Sequence, residues 1–94
     1  MQDLYTQIVQ KIIEQQETII GPVAIEQAKR VPNLSVDWPK HSVKISGDAT
    51  ATIDELVQQY EHLFGKLSVE VCREAAASLV AQLPPGKQPK KLKA

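Results

Sequence analysis

The sequence predicts a small α+β domain in which helices pack on a β-hairpin. Apolar residues recur every three to four positions in residues 4–30 and 53–83, as in amphipathic helices. Between these regions, residues 34–46 alternate apolar and polar side chains, as strands do. The chain has 94 residues, which suits one domain with a single modest core. We therefore expect the order α-α-β-β-α-α over residues 1–83.

The first helix is predicted from adjacent pairs of apolar residues that recur every four positions. These pairs are Leu4 and Tyr5, Ile8 and Val9, and Ile12 and Ile13. Gly21 suits a helix end, and Pro22 suits the first turn of a second helix. The second helix is expected to run to about Arg30, where Pro32 and Asn33 stop it.

Two short strands are predicted where the apolar period changes to two. The apolar members are Leu34, Val36 and Trp38 in the first strand, and Val43 and Ile45 in the second. Pro39 suits the turn between them because proline cannot donate to a strand ladder. Trp38 is interpreted as a core residue beneath the hairpin, although tryptophan is also a frequent anchor at protein interfaces.

Two further helices are predicted after the hairpin. The stretch TIDE, residues 52–55, has the pattern of a capping box in which Thr52 and Glu55 satisfy each other's backbone amides. Gly65 suits the end of this third helix, and Ser68 suits the cap of the fourth. The expected inward stripes are Ile53, Leu56, Val57, Tyr60, Leu63 and Phe64, and then Val69, Cys72, Ala75, Ala76, Leu79, Val80 and Leu83.

The stretch YEHLFGKLSVEVC, residues 60–72, has the outline of a DNA-reading helix-turn-helix. A recognition helix needs cations for phosphates and polar side chains for base edges. The helix after the turn instead begins with Glu70 and Glu74 against one Arg73, and its middle is AAASL. We therefore interpret the stretch as a corner at which two helices pack.

Residues that could perform catalysis or bind a metal are few and dispersed. His41 lies in the predicted turn and His62 on the polar side of the third helix, and neither has an evident partner. Cys72, the only cysteine, excludes an internal disulfide and is expected to be buried and unreactive. The spacings fit neither a zinc site nor a phosphate-binding loop. We expect no catalytic residue, cofactor or metal.

The formal net charge of zero is divided unevenly along the chain. Residues 1–83 contain seven Lys or Arg and eleven Asp or Glu, whereas residues 84–94 contain four lysines and no acid. The segment PPGKQPKKLKA is therefore expected to be a flexible, solvated tail. Two alternatives remain, a tether to nucleic acid or anionic lipid and a docking segment for an acidic protein. The candidate contacts are Lys87, Lys90, Lys91 and Lys93.

The cellular setting is predicted from the N-terminal residues and the apolar runs. The stretch MQDLYTQ is acidic and polar, unlike a secretory signal. No apolar run approaches the roughly 18 residues of a membrane span. With a single cysteine, these features favour a cytoplasmic protein that does not bind membranes.

The function expected from these features is a non-catalytic protein–protein interaction or regulatory module that forms a homodimer. A two-stranded sheet has two open edges, and the first helix has a wide apolar stripe. The candidate contacts for a partner are Tyr5, Val9, Ile13 and Val43. The alternative is a nucleic-acid-associated accessory protein that uses the basic tail. A third hypothesis is a small enzyme or ligand-binding domain with a site between two chains.

Overall fold

A computed structural model describes residues 3–92 of the chain. Within that range, four α-helices and one antiparallel hairpin form a single α+β unit, which confirms the predicted fold class and element order. The elements are α1 (Leu4–Ile20), α2 (Val23–Lys29), β1 (Leu34–Asp37), β2 (Ser42–Ile45), α3 (Ala49–Phe64) and α4 (Lys66–Val80). Short 3-10 turns at Trp38–Lys40, Pro85–Lys87 and Lys90–Leu92 complete the fold.

Helix α1 has the limits that its sequence predicts. The Asp3 side chain accepts a hydrogen bond of 2.8 Å from the Thr6 amide and caps the first turn. At the other end, Gly21 has φ 73° and donates its amide to the Glu17 carbonyl. A positive φ of this size favours glycine, and Pro22 then leads into α2.

The hairpin forms as predicted, and its register places Leu34 opposite Ile45 and Val36 opposite Val43. Strand β1 ends one residue earlier than the alternation suggests, because Trp38 begins the 3-10 turn that contains Pro39. The Trp38 side chain is only 5% exposed, which confirms its assignment to the core.

Helix α3 begins three residues before the predicted capping box, at Ala49. The side chain of Asp48 is the cap, since its Oδ1 accepts from the amides of Thr50 at 3.0 Å and Ala51 at 3.4 Å. Thr52 already lies in the first turn, where its hydroxyl donates to the Asp48 carbonyl at 2.8 Å. The capping-box assignment is therefore wrong.

Helix α4 also begins earlier than predicted, at Lys66 directly after Gly65. Gly65 has φ 79° and is both the C-cap of α3 and the N-cap of α4. Ser68 is consequently not a cap but a buried residue of the first turn. Its carbonyl accepts a hydrogen bond of 3.1 Å from the Gln16 side-chain amide, which ties α4 to α1.

The core lies between α1, α3 and α4, and α2 and the hairpin close it from the side. Helix α1 pairs most extensively with α4, and α3 pairs next most extensively with α4. Fully buried apolar residues include Ile8, Val9, Ile12, Ile13, Ile53, Leu56, Val57, Tyr60, Cys72 and Ala76.

The segment after α4 packs on the domain, which differs from the flexible tail that its composition predicts. Leu92 is 4% exposed and lies in the hydrophobic core cluster. The Gln88 side-chain amide donates to the carbonyls of Val80 and Leu83, both at 3.1 Å, and so satisfies the end of α4. The Lys91 amide donates to Asp54 at 2.9 Å. The expectation of a solvated tail is corrected for residues 84–92.

No helix in residues 3–92 has both the length and the apolar character that crossing a bilayer requires.

Candidate interaction surface

The apolar residues expected to contact a partner lie inside the single chain. Val9 and Ile13 have no exposed surface, and Val43 is 7% exposed. Tyr5 is half-buried, and its hydroxyl donates to the Lys87 carbonyl at 2.9 Å. These assignments are corrected, because the wide stripe of α1 is covered within the chain by helices α3 and α4 and by strand β2.

The lysines of the C-terminal segment are only partly available to a partner. The Lys91 ammonium lies 3.0 Å from the Glu61 carboxylate, and both side chains are about one-third exposed. Lys87 and Lys90 remain exposed. Lys93 lies outside the described residues. The basic segment therefore uses part of its charge to bind α3.

A different apolar surface is exposed at one end of the molecule. It consists of five large side chains that are 37% to 76% exposed, and we call it the apolar end: Ile19, Val23, Leu63, Phe64 and Leu67. The bond from Gln16 to Ser68 holds the end of α1 beside the start of α4. The Tyr60 hydroxyl donates to the Ala24 carbonyl at 2.7 Å and holds the end of α3 beside the start of α2. The four helix termini that carry these side chains therefore meet.

The sequence pattern assigns Leu63 and Phe64 to the buried stripe of α3, but they are 49% and 41% exposed. They occupy the last turn of α3, next to the corner at Gly65. The helical period places them on the same face of α3 as the buried Tyr60, but their expected burial is wrong. The helical period does not show that the last turn of α3 extends beyond the neighbouring elements, so that no other residue covers these two side chains.

The apolar end continues into a groove between α1 and α4, which we call the α1–α4 groove. Its lining is Gln15 and Ile19 from α1, and Val71, Glu74 and Ala75 from α4, around a volume of about 320 Å³. Leu67 lies one turn before Val71 on the same side of α4, since residues four apart share a helix face. A projecting leucine and a recess therefore lie on one surface.

The charges beside this groove are unevenly paired. Glu70 accepts a hydrogen bond of 2.8 Å from Arg73, and this salt bridge lies on α4 itself. Glu74 lines the groove, and Lys66 begins α4, yet neither forms an ion pair with any residue in the range 3–92. The surface thus presents one unpaired anion and one unpaired cation, about two turns apart.

A second groove lies on the other side of α4, where the C-terminal segment packs. Its volume is about 290 Å³, and its lining is Arg73, Ala77, Val80, Ala81, Gln88 and Leu92. The Arg73 guanidinium donates to Glu70 at 2.8 Å and to the Lys91 carbonyl at 3.2 Å. Because those contacts already engage its only charged group, this groove offers a ligand chiefly apolar contacts.

One cluster of polar side chains was missed by sequence reasoning, which found no partner for His41. The His41 ring stacks on Trp38 with centroids 4.3 Å apart, and its Nδ1 lies 3.4 Å from Glu14. The Trp38 indole N–H donates to Glu17 at 3.0 Å. Glu17 lies 21 positions from Trp38 and Glu14 lies 27 positions from His41, so local spacing gives no signal for these two contacts. The contacts fasten the hairpin turn to α1.

Cys72 is buried, as its sequence position predicts. Burial raises the pKa of its thiol to about 11, and the opposing effect of the Gln16 amide, 3.3 Å from Sγ, is smaller. At neutral pH the group is therefore a protonated, inaccessible thiol. Within residues 3–92, no three His, Cys, Asp or Glu side chains are grouped so that they could hold a metal ion.

Comparison of the chain with protein-family models, with curated proteins and with solved structures finds no match. The function proposed below therefore rests on the exposed surface and its charges.

Proposed function

We propose that the chain is a small, non-catalytic protein–protein interaction module that recognises another protein through the apolar end. One observation carries this proposal. The large apolar side chains that are exposed in the described part of the chain all belong to helix termini that meet at one end. Contiguous exposed apolar patches mark binding surfaces more often than singly scattered apolar residues do.

The free energy available from this end suits a protein partner. Fully burying one large apolar side chain contributes about 1.5–3 kcal/mol. Covering Leu63, Phe64 and Leu67 together would therefore offset a substantial part of the cost of association. Phe64 is the aromatic member of the end, and aromatic side chains are enriched in the cores of interfaces.

The chemistry of the exposed end supports binding without catalysis. Its five members have only hydrocarbon side chains, so they supply no nucleophile, acid or base. The one thiol of the chain is buried and protonated at neutral pH, which suits a reducing cytoplasmic setting. We further propose that the module acts as a homodimer.

The alternative role, an accessory protein for nucleic acid, has weaker support. Phosphate binding needs free cations, whereas the Lys91 ammonium already lies 3.0 Å from Glu61. Arg73 is similarly engaged by Glu70. Lys87 and Lys90 remain as exposed cations, and they provide the control position for the experiment below.

Site-specific photocrosslinking in cells tests the proposal. A photoreactive phenylalanine analogue at Phe64 should form a covalent protein product, whereas the same group at the exposed Lys87 should not. Both positions are exposed, so neither change should unfold the chain, and thermal melting verifies this. Absence of any protein product from Phe64 would overturn the proposal. A nucleic-acid product from Lys87 would favour the alternative.

A further inference from the structure

We infer that a second copy of the chain binds this surface, with Lys66 and Leu67 of each copy entering the α1–α4 groove of the other. The inference rests on the proposed function in using part of the apolar end as a binding surface. It adds the contacts and the symmetry of the proposed homodimer.

Leu67 has the largest exposed fraction among the large apolar residues described. It is 76% exposed, in the first turn of α4. The groove that would receive it has Ile19, Val71 and Ala75 in its lining, although most of the lining is polar because Gln15 and Glu74 also contribute. A leucine side chain that enters there can contact the apolar residues of both helices.

The positions of the projection and the groove satisfy the requirement of a two-fold dimer. In such a dimer both chains use the same surface, so the surface must be complementary to itself. Leu67 and Ala75 lie on one side of α4, and their eight-residue separation spans about 12 Å along the helix axis. Two antiparallel α4 helices that cross near Val71 would bring Leu67 of each copy opposite Ala75 of the other.

The charges favour a second copy over an arbitrary apolar partner. Glu74 lines the groove without an ion-pair partner in residues 3–92. Lys66 directly precedes Leu67 and is likewise unpaired within that range. When Leu67 enters the groove, the long Lys66 side chain is carried towards the Glu74 carboxylate of the other copy. Each dimer then contains two equivalent Lys–Glu pairs.

The resulting assembly matches a common arrangement of helices. Helices α1 and α4 form the most extensive helix pair of the chain. Packing two such pairs face to face across their grooves gives two layers of two helices each, as in four-helix bundles. The hairpin, which packs on the α1 and α2 side, takes no part in this contact.

Charge reversal provides the test, with the molar mass of the full chain measured by sedimentation at micromolar concentration. The unmodified chain should have twice the 10.4 kDa mass of one chain. Lys66→Glu and Glu74→Lys should each weaken the dimer at least about tenfold, because like charges then meet at both pairs. An equimolar mixture of the two variants should regain the dimer. In the mixed dimer, position 66 of each chain again faces the opposite charge at position 74 of the other.

Leu67→Glu should also give the monomer mass, whereas Ser35→Glu should leave the dimer unchanged. Ser35 is the control because it is an exposed residue of β1 in the hairpin, which takes no part in the contact. Circular dichroism and thermal melting confirm that these exposed substitutions leave the fold intact.

Three outcomes would overturn the inference. They are a mass near 10.4 kDa for the unmodified chain, a dimer insensitive to both charge reversals, and a mixture that stays monomeric. The first of these, combined with a crosslink from Phe64 to a different protein, would leave the proposed interaction function standing. Absence of a Phe64 crosslink alongside a charge-dependent dimer would instead overturn the proposed function and leave self-association through the groove standing.

Discussion

The Tyr60 hydroxyl and the Ala24 carbonyl form a hydrogen bond of 2.7 Å inside the core, between α3 and α2. Tyr60 has no exposed surface, and its burial raises the pKa of the phenol above the ordinary tyrosine value. A buried carbonyl that loses its donor keeps its desolvation cost without compensation.

Replacing Tyr60 by Phe should therefore lower the free energy of unfolding by about 1–2 kcal/mol. Tyr5→Phe is the matched control, because its hydroxyl bonds to the Lys87 carbonyl in an exposed position. That change should cost less than about 0.5 kcal/mol. Urea denaturation of both variants measures the difference, and equal effects would contradict the assignment of the Tyr60 bond to the core.

The burial of Cys72 predicts a loss of stability at alkaline pH. Below the ordinary thiol pKa of 9.0 the group is protonated in both the folded and the unfolded chain. Above it the unfolded chain ionises first, because burial holds the folded pKa at about 11. The thiol should therefore reduce the free energy of unfolding progressively as the pH rises from about 9 to about 11.

The Cys72→Ala variant isolates this effect from that of Tyr60, whose raised pKa also lowers stability at alkaline pH. The variant should lose about 1 kcal/mol at neutral pH but show a shallower decline in the alkaline range. Thiol reagents should label native Cys72 slowly and the unfolded chain fast. Rapid labelling of the native chain would contradict its burial.

The packing of Leu92 predicts that the C-terminal segment contributes to stability. Leu92→Ala should lower the free energy of unfolding by about 2 kcal/mol, because Leu92 is 4% exposed and belongs to the core cluster. Lys90→Ala, at an exposed position in the same 3-10 turn, should change it by less than about 0.5 kcal/mol. A Leu92→Ala variant as stable as the native chain would restore the hypothesis of a solvated tail.

The cap at Asp48 predicts how α3 responds to substitution and acid. Asp48→Ala should lower the melting temperature. Asp48→Ser should lower it much less, because serine is also a good helix N-cap. Hydrogen bonds from the Thr50 hydroxyl and the Ala51 amide lower the pKa of the Asp48 carboxyl. The ionised Asp48 carboxylate should therefore stabilise the folded chain fully above the ordinary aspartate pKa. This stabilisation should be lost as the pH falls through the lowered pKa of the folded state. Identical acid melting curves for the native chain and the alanine variant would refute this assignment.

The fold was largely predictable because its signals are local. Paired apolar residues and the Gly21–Pro22 boundary determine α1, and alternation determines the hairpin. The start of α3 was misplaced because Asp48 and Thr52 are both capping residue types, four positions apart. Local pattern alone does not show which of two competent caps the chain uses.

The candidate surface was not predictable, since it depends on contacts between distant segments. Composition predicts that the lysine-rich segment is solvated, but Asp54, on α3, accepts its backbone amides. Periodicity likewise places Val9 and Phe64 in equivalent apolar stripes. Only the packing of the other helices leaves Phe64 exposed and buries Val9 completely.

The pairing of α1 with α4 also constrains the order in which the chain folds. The bond from Gln16 to Ser68 joins residues 52 positions apart, whereas α3 and α4 are joined by a single glycine. Closing the longer loop costs more chain entropy, so native contacts of α1 with α4 should form late. In folding kinetics, substitutions at Leu56 or Ala76 should then chiefly slow refolding, whereas a substitution at Ile12 should chiefly accelerate unfolding.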